Sequence, residues 1–128
     1  MKIIGFGTDL TNINRFKKIL KNNKLFKKRI FSLKEINYCD KKKYSYLCYA
    51  KRFAAKEAFV KAIGTGITNG ISLKEIEVSN NKEGKPSLTI KGKTLAVVKK
   101  ILKVKKINSF ISLSDDKPCA IANVIITR

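Results

Sequence analysis

The chain of 128 residues carries 29 Lys plus Arg against 9 Asp plus Glu, a formal charge of +20, which either favours anionic partners or, with its many Asn and Ile, reflects an AT-rich coding sequence. It contains no histidine, which excludes Ser-His-Asp and Cys-His catalysis, HExxH zinc enzymes and Cys/His zinc fingers. Any metal must therefore bind through carboxylate oxygen, which points to Mg²⁺ or a similar hard ion.

The length is that of one domain, residues 1–128, with a real but modest core, and no apolar run approaches a membrane span. The first residues lack the basic start and unbroken apolar block of a signal peptide, so the chain is expected to be soluble. A β-prone start, Ile3 and Ile4, runs through Gly5 and Gly7 to Asp9; a helical pattern of Ile13, Phe16, Ile19 and Leu20 follows. Asp9 thus ends a predicted strand. Either it serves a site there, or Asp9, Thr11 or Asn12 simply caps the next helix. The Gly-x-Gly is not a dinucleotide fingerprint, because the third glycine is missing. The first helix is expected over about Asn12 to Leu20, with Arg15 and the following lysines outward, and Asn22-Asn23 breaks it. A second helix spans Leu25 to Ile30. Ser32-x-x-Glu35 is a capping box opening a third helix through Tyr38, and Lys41–Lys43 is a solvated connector.

From about Tyr44 to Ile63 there is neither Gly nor Pro, and alanines fall at 50, 54, 55, 58 and 62. That pattern predicts a long buried helix with one closely packed face, ended by Gly64 and Gly66. Glu57 and Lys61 stand one turn apart on it. They form either an exposed ion pair worth roughly 0.3–0.5 kcal/mol or part of a site into which backbone can approach over the small alanines.

Beyond it, Gly70–Leu73 reads as a turn entering a strand that continues through Ile76–Val78. The turn-rich Asn80–Gly84 then leads to a hairpin partner, Ser87–Ile90. A helix is expected over Thr94–Leu102. A second hairpin pairs Ile107–Leu113 with Ala120–Ile126 across Asp115–Pro118. The three cysteines, Cys39, Cys48 and Cys119, show no C-x-x-C spacing and read as reduced and mostly packed. The fold class is α+β: about five mostly antiparallel strands on one long helix, with shorter helices beside it.

Two stretches, Gly5–Leu10 and Arg52–Ile67, resemble the holo-[acyl-carrier-protein] synthase family, the short single-domain 4′-phosphopantetheinyl transferases. Weaker matches follow in order at Gly84-Lys85-Pro86 and Ile111–Ser114. The resemblance implies the 4′-phosphopantetheinyl transferase fold and transfer of 4′-phosphopantetheine from coenzyme A to a serine of an acidic apo-acyl carrier protein. Adenosine 3′,5′-bisphosphate is released. It implies that Asp9 and Glu57 hold Mg²⁺, that Glu57 takes the serine proton, and that Lys61 neutralises the leaving bisphosphate. Arg52, Gly64, Gly66, Lys85, Pro86 and Ser112 join Lys61 as coenzyme A contacts, and Arg15 meets the carrier's acidic helix. It further implies a homotrimer with active sites between subunits, working in the cytoplasm, or in an organelle such as a plastid if a transit peptide has been removed.

Relatives usually carry a histidine after Ser112-Leu-Ser114, where this chain has Asp115, and an aspartate beside a phosphate repels it. Cys119 stands where an aromatic is common, a packing change. The runner-up reading is a small basic RNA- or DNA-binding domain, which explains the charge but not the Glu57 and Lys61 pair among alanines. A third is a protein-interaction module on an inactive enzyme fold.

Overall fold

The computed structural model describes residues 1–68 and 70–128. Strand β1 (Ile3–Asn12) runs into helix α1 (Ile13–Asn22), where Asn12 is the N-cap and its side chain accepts the Arg15 N–H. Asn23 ends α1 and caps α2 (Lys24–Ile30). The Ser32/Glu35 capping box starts α3 (Leu33–Asp40), as the S-x-x-E spacing predicts. The alanine-rich stretch is α4 (Ser45–Ile63), and Gly64 closes it at φ 82°, a left-handed geometry open to glycine at little cost.

Among the described residues, five strands form two antiparallel sheets, a three-stranded one in the order β1-β5-β4 and the hairpin β2-β3. Strands β2 (Ile76–Asn80) and β3 (Pro86–Ile90) pair across the expected turn; α5 (Gly92–Leu102) follows; β4 (Asn108–Asp116) and β5 (Cys119–Thr127) form the second hairpin. Strand β1 adds to the free side of β5, so the chain's two ends share one sheet. One expectation fails locally: the chain before β2 is not extended but makes a 3-10 turn, Leu73–Glu75. The buried Lys56 ammonium causes this, because it collects the Leu73 and Ile76 carbonyls and draws that segment inward.

Helix α4 crosses the inner face of the three-stranded sheet, burying Ala54, Ala55, Ala58 and Phe59 against Ala122, Val124 and Ile126. A second cluster, with Phe16, Phe31, Tyr49 and Ala50 at its centre, holds α1 to α3 on the first half of α4. Beneath it, Lys56 and Glu35 make a fully buried ion pair at 2.7 Å, and the second Glu35 oxygen accepts the Val78 N–H. Cys39 and Cys48 are not reduced but joined in a disulfide, which corrects the sequence reading. Packing of α3 along α4 brings their Cα atoms to 5.5 Å, a separation that spacing along the chain does not reveal, while Cys119 stays free. No helix among the described residues is long and apolar enough to cross a membrane.

Candidate active site

The seam between β1 and α4 is unusually close because of two glycines. A Cβ on Gly7 would sit 2.0 Å from the Ala58 carbonyl oxygen, and one on Gly5 would sit 2.5 Å from that of Ala62. Only glycine over alanine lets strand and helix backbones touch in this way. Positions 5, 7, 9 and 11 share the strand face that meets the helix, so the same alternation that presses Gly7 on Ala58 delivers Asp9 beside Glu57 and Lys61. The Lys61 Nζ lies 3.1 Å from Asp9 Oδ1 and donates to the Thr8 carbonyl at 3.0 Å; Thr11 Oγ1 donates to the other Asp9 oxygen at 2.9 Å.

Glu57 is half-buried on this seam. Burial, and then the charge of Asp9, push its carboxyl above the ordinary carboxylate range, with Lys61 opposing them. Two carboxylates thus lie near enough to feel one another's charge, beside one ammonium, inside a chain of charge +20. Their mutual repulsion is what a bound cation relieves, and their oxygens suit a hard divalent ion. No cluster of three or more Asp, Glu, Cys or His side chains occurs among the described residues. A divalent ion held by Asp9 and Glu57 would therefore keep most of its octahedral positions for water or substrate oxygen.

A second constellation lies further towards the N-terminus of α4. Arg52 is buried, donates to Asn80 Oδ1 at 2.7 Å, and stacks 4.4 Å over the Tyr38 ring. Its Nε–H has no acceptor among the described residues. It opens into a cavity of about 400 Å³, shared with Lys42, Lys43, Lys51, Gly84 and Pro86. Lys42 sits 4.6 Å over the same Tyr38 ring. A guanidinium lining a cavity beside Lys42 and Lys43 suits an anion such as phosphate. Asp115 does not line this cavity, and Lys51, which does, holds it in an ion pair.

The sequence-predicted residues therefore divide. Asp9, Glu57 and Lys61 come together on the seam, and Arg52 and Pro86 come together in the cavity. Lys85 is exposed in the hairpin turn beside Pro86, its backbone N–H held by Asn81 Oδ1. Gly64 and Gly66 stand open just past α4, where an added Cβ would meet nothing within 4 Å. Arg15 is exposed in the first turn of α1. Ser112 joins neither group: it lies on the outer face of the sheet, in a row with Asn123 and Thr8. Sequence reading missed Tyr38, Lys42, Lys43 and Asn80. The i,i+4 spacing of Tyr38 and Lys42 was an available hint, but the Lys41–Lys43 run looked like solvated charge.

The model of the 4′-phosphopantetheinyl transferase superfamily matches residues 5–122. This chain is a member of the holo-[acyl-carrier-protein] synthase family. The holo-[acyl-carrier-protein] synthase of Pelagibacter ubique is 45% identical over 128 residues, covering 100% of this chain and 99% of that protein. Among solved structures, the holo-[acyl-carrier-protein] synthase of Neisseria meningitidis superposes with a TM-score of 0.84 at 30% identity, covering 99% of this chain and 100% of that one. A Bacillus anthracis holo-(acyl-carrier-protein) synthase in complex with CoA (3′,5′-ADP) gives 0.78 at 34% identity, covering 97% and 96%. Membership in the synthase family thus rests on nearly the whole chain, and the seam and the Arg52 cavity both lie within the matched region.

Proposed function

We propose that this chain transfers 4′-phosphopantetheine from coenzyme A to a serine hydroxyl of an acidic acyl carrier protein, in a Mg²⁺-dependent reaction that releases adenosine 3′,5′-bisphosphate. The observation that carries the reading is the meeting of Asp9, Glu57 and Lys61 on a seam made by glycine packed on alanine. Bound by Asp9 and Glu57, Mg²⁺ would supply charge neutralisation on the pyrophosphate. Glu57, half-buried on the seam beside Lys61, is the candidate base for the serine proton. As it takes the serine proton, the serine oxygen bonds to the transferred phosphorus and the pyrophosphate P–O bond breaks. Lys61, paired with Asp9 but largely exposed, would pass to the departing bisphosphate and offset its new charge.

The Arg52 cavity is suited to the nucleotide's remaining phosphate, and Pro86 to its organic surface. Arg52 and Glu57 project about 140° apart around α4, so the cavity and the seam open in different directions. An active site shared between subunits reconciles the two. The outer sheet face supports that assembly: Phe6, Ile125 and Phe110 form one cross-strand row, Leu10 and Ile121 another, and Phe6 and Leu10 are each 63% exposed. A trimer covering this face would bring Asp9 and Glu57 of one subunit to the Arg52, Lys85 and Pro86 region of another, with Ser112 near the join. Arg15 and the exposed lysines of α1 offer the acidic carrier a cationic face. The curated relatives are bacterial, which is the ground for reading the compartment as a bacterial cytoplasm.

The test is intact mass of apo-carrier after incubation with this chain, coenzyme A and Mg²⁺. A gain of one phosphopantetheinyl group is expected, lost with EDTA and slowed about 100-fold or more by Asp9→Ala or Glu57→Gln. An unmodified carrier would remove the reading. The charge of +20 keeps a nucleic-acid binder as the second reading, and salt-sensitive oligonucleotide binding that coenzyme A does not displace would favour it.

A further inference from the structure

The Cys39–Cys48 disulfide lies outside the seam, yet it is part of the cavity wall. Cys39 is fully buried in the last turn of α3, whereas Cys48, in the first turn of α4, is half-buried and lines the Arg52 cavity. The bond closes a segment containing Lys42, Lys43, Tyr44 and Leu47, all of which line the same cavity. It also fixes the end of α3, where Tyr38, next to Cys39, carries both Lys42 and Arg52 on its ring. A single covalent link therefore closes the segment that carries two of the cavity's four cationic side chains, Lys42 and Lys43.

We propose that Cys39 and Cys48 are a reversible thiol–disulfide site, and that its oxidation state sets the affinity of the cavity for coenzyme A. This rests on the reading of the cavity as the nucleotide site. The co-reactant is a low-molecular-weight disulfide, RSSR. The Cys48 thiolate, on the half-buried partner that lines the cavity, attacks RSSR and displaces one RS⁻, which takes up a proton. Cys39, as its thiolate, then attacks Cys48 Sγ, forms the protein disulfide and displaces the second RS⁻. In sum, two cysteine thiols lose two electrons and two protons, and RSSR becomes two RSH. Lys42, Lys43, Lys51 and Arg52 line the same cavity, and positive surroundings favour the attacking thiolate. A Cα separation of 5.5 Å lets the bond open and close without refolding.

With the bond open, residues 40–47 regain freedom that coenzyme A must remove on binding, which appears as a higher KM. The reacting groups are insulated from the change: Glu57 lies about 13 Å along α4 from Cys48. The maximal rate should hardly move.

The test poises the full chain in oxidised or reduced glutathione, reads the cysteine state by alkylation and intact mass, and measures transfer kinetics. Reduction is expected to raise KM for coenzyme A about three- to tenfold with kcat within about twofold. Cys39→Ala/Cys48→Ala should show the reduced-type KM and no response to oxidant. The comparison of the two states of the unsubstituted chain needs no variant to fold. An equal KM in two verified states would overturn the proposal, as would cysteines that stay reduced in excess oxidised glutathione. Absence of turnover in both states counts against the transferase reading itself, whereas equal KM with turnover intact counts against the switch alone.

Discussion

Lys56 and Lys61 stand little more than one turn apart on α4, and each meets a carboxylate from another element. Lys56 and Glu35 are both 0% exposed, 2.7 Å apart, and the Lys56 ammonium also collects the Leu73 and Ile76 carbonyls. Lys61 is 57% exposed against 13% for Asp9, and the two are 3.1 Å apart. The buried pair has every polar atom committed and ties α3, α4 and β2 together. The seam pair has solvent on one side and a half-buried carboxyl, Glu57, on the other. The contrast teaches that an ion pair's chemistry is decided by what remains free after folding. A satisfied buried pair specifies structure, while a part-exposed pair can exchange partners when substrate arrives.

The sharpest way to break this comparison is to remove each lysine. Lys56→Met leaves Glu35 charged and unpaired in the core and should cost about 3–5 kcal/mol in urea unfolding. Lys61→Met should cost less than about 1 kcal/mol while slowing carrier modification. Equal destabilisation by the two would erase the distinction. Gly7→Ala tests the seam from the strand side. Its methyl would collide with the Ala58 carbonyl, so β1 must lift, with an expected loss of about 1–3 kcal/mol and a slower transfer because Asp9 moves with the strand. Wild-type turnover in that variant would show that Asp9 is not held by the close approach.

The smallest effect concerns Glu57 itself. A carboxyl whose folded pKa is raised favours folding only while protonated. That contribution is complete below the unfolded value and lost as pH rises through the folded one. In EDTA at neutral pH, Glu57→Gln should therefore melt roughly 2 °C above the unsubstituted chain, and the gap should close as the solution is acidified through the raised pKa. Excess Mg²⁺ should stabilise only the chain that keeps Glu57. A Gln variant that melts lower in EDTA at neutral pH would mean that the seam does not strain this carboxyl.

Several of these features were readable in the amino-acid order because their causes are local. Asn12 caps α1, Ser32 and Glu35 form the predicted box, and Gly64 ends the alanine helix, each through contacts within a few residues. The placement of Asp9, Glu57 and Lys61 was legible through the family resemblance, and helix periodicity agreed with it. Other roles were hidden by distance along the chain. Glu35 looked like half of a cap, yet its carboxylate also serves Lys56 and Val78. Lys41–Lys43 looked like a solvated run, yet two of its members wall the Arg52 cavity, and two ordinary cysteines are joined across α3 and α4.

The order of residues alone determined the succession of helices and strands, the close-packing stripe of alanines and the +20 charge, since these depend on neighbours, spacing and counting. Tertiary structure decided which charges are spent and which stay available. A helix period fixes the direction in which a lysine leaves the axis, but only the packing of distant segments decides whether it meets a buried carboxylate, a strand's last acid or an open cavity.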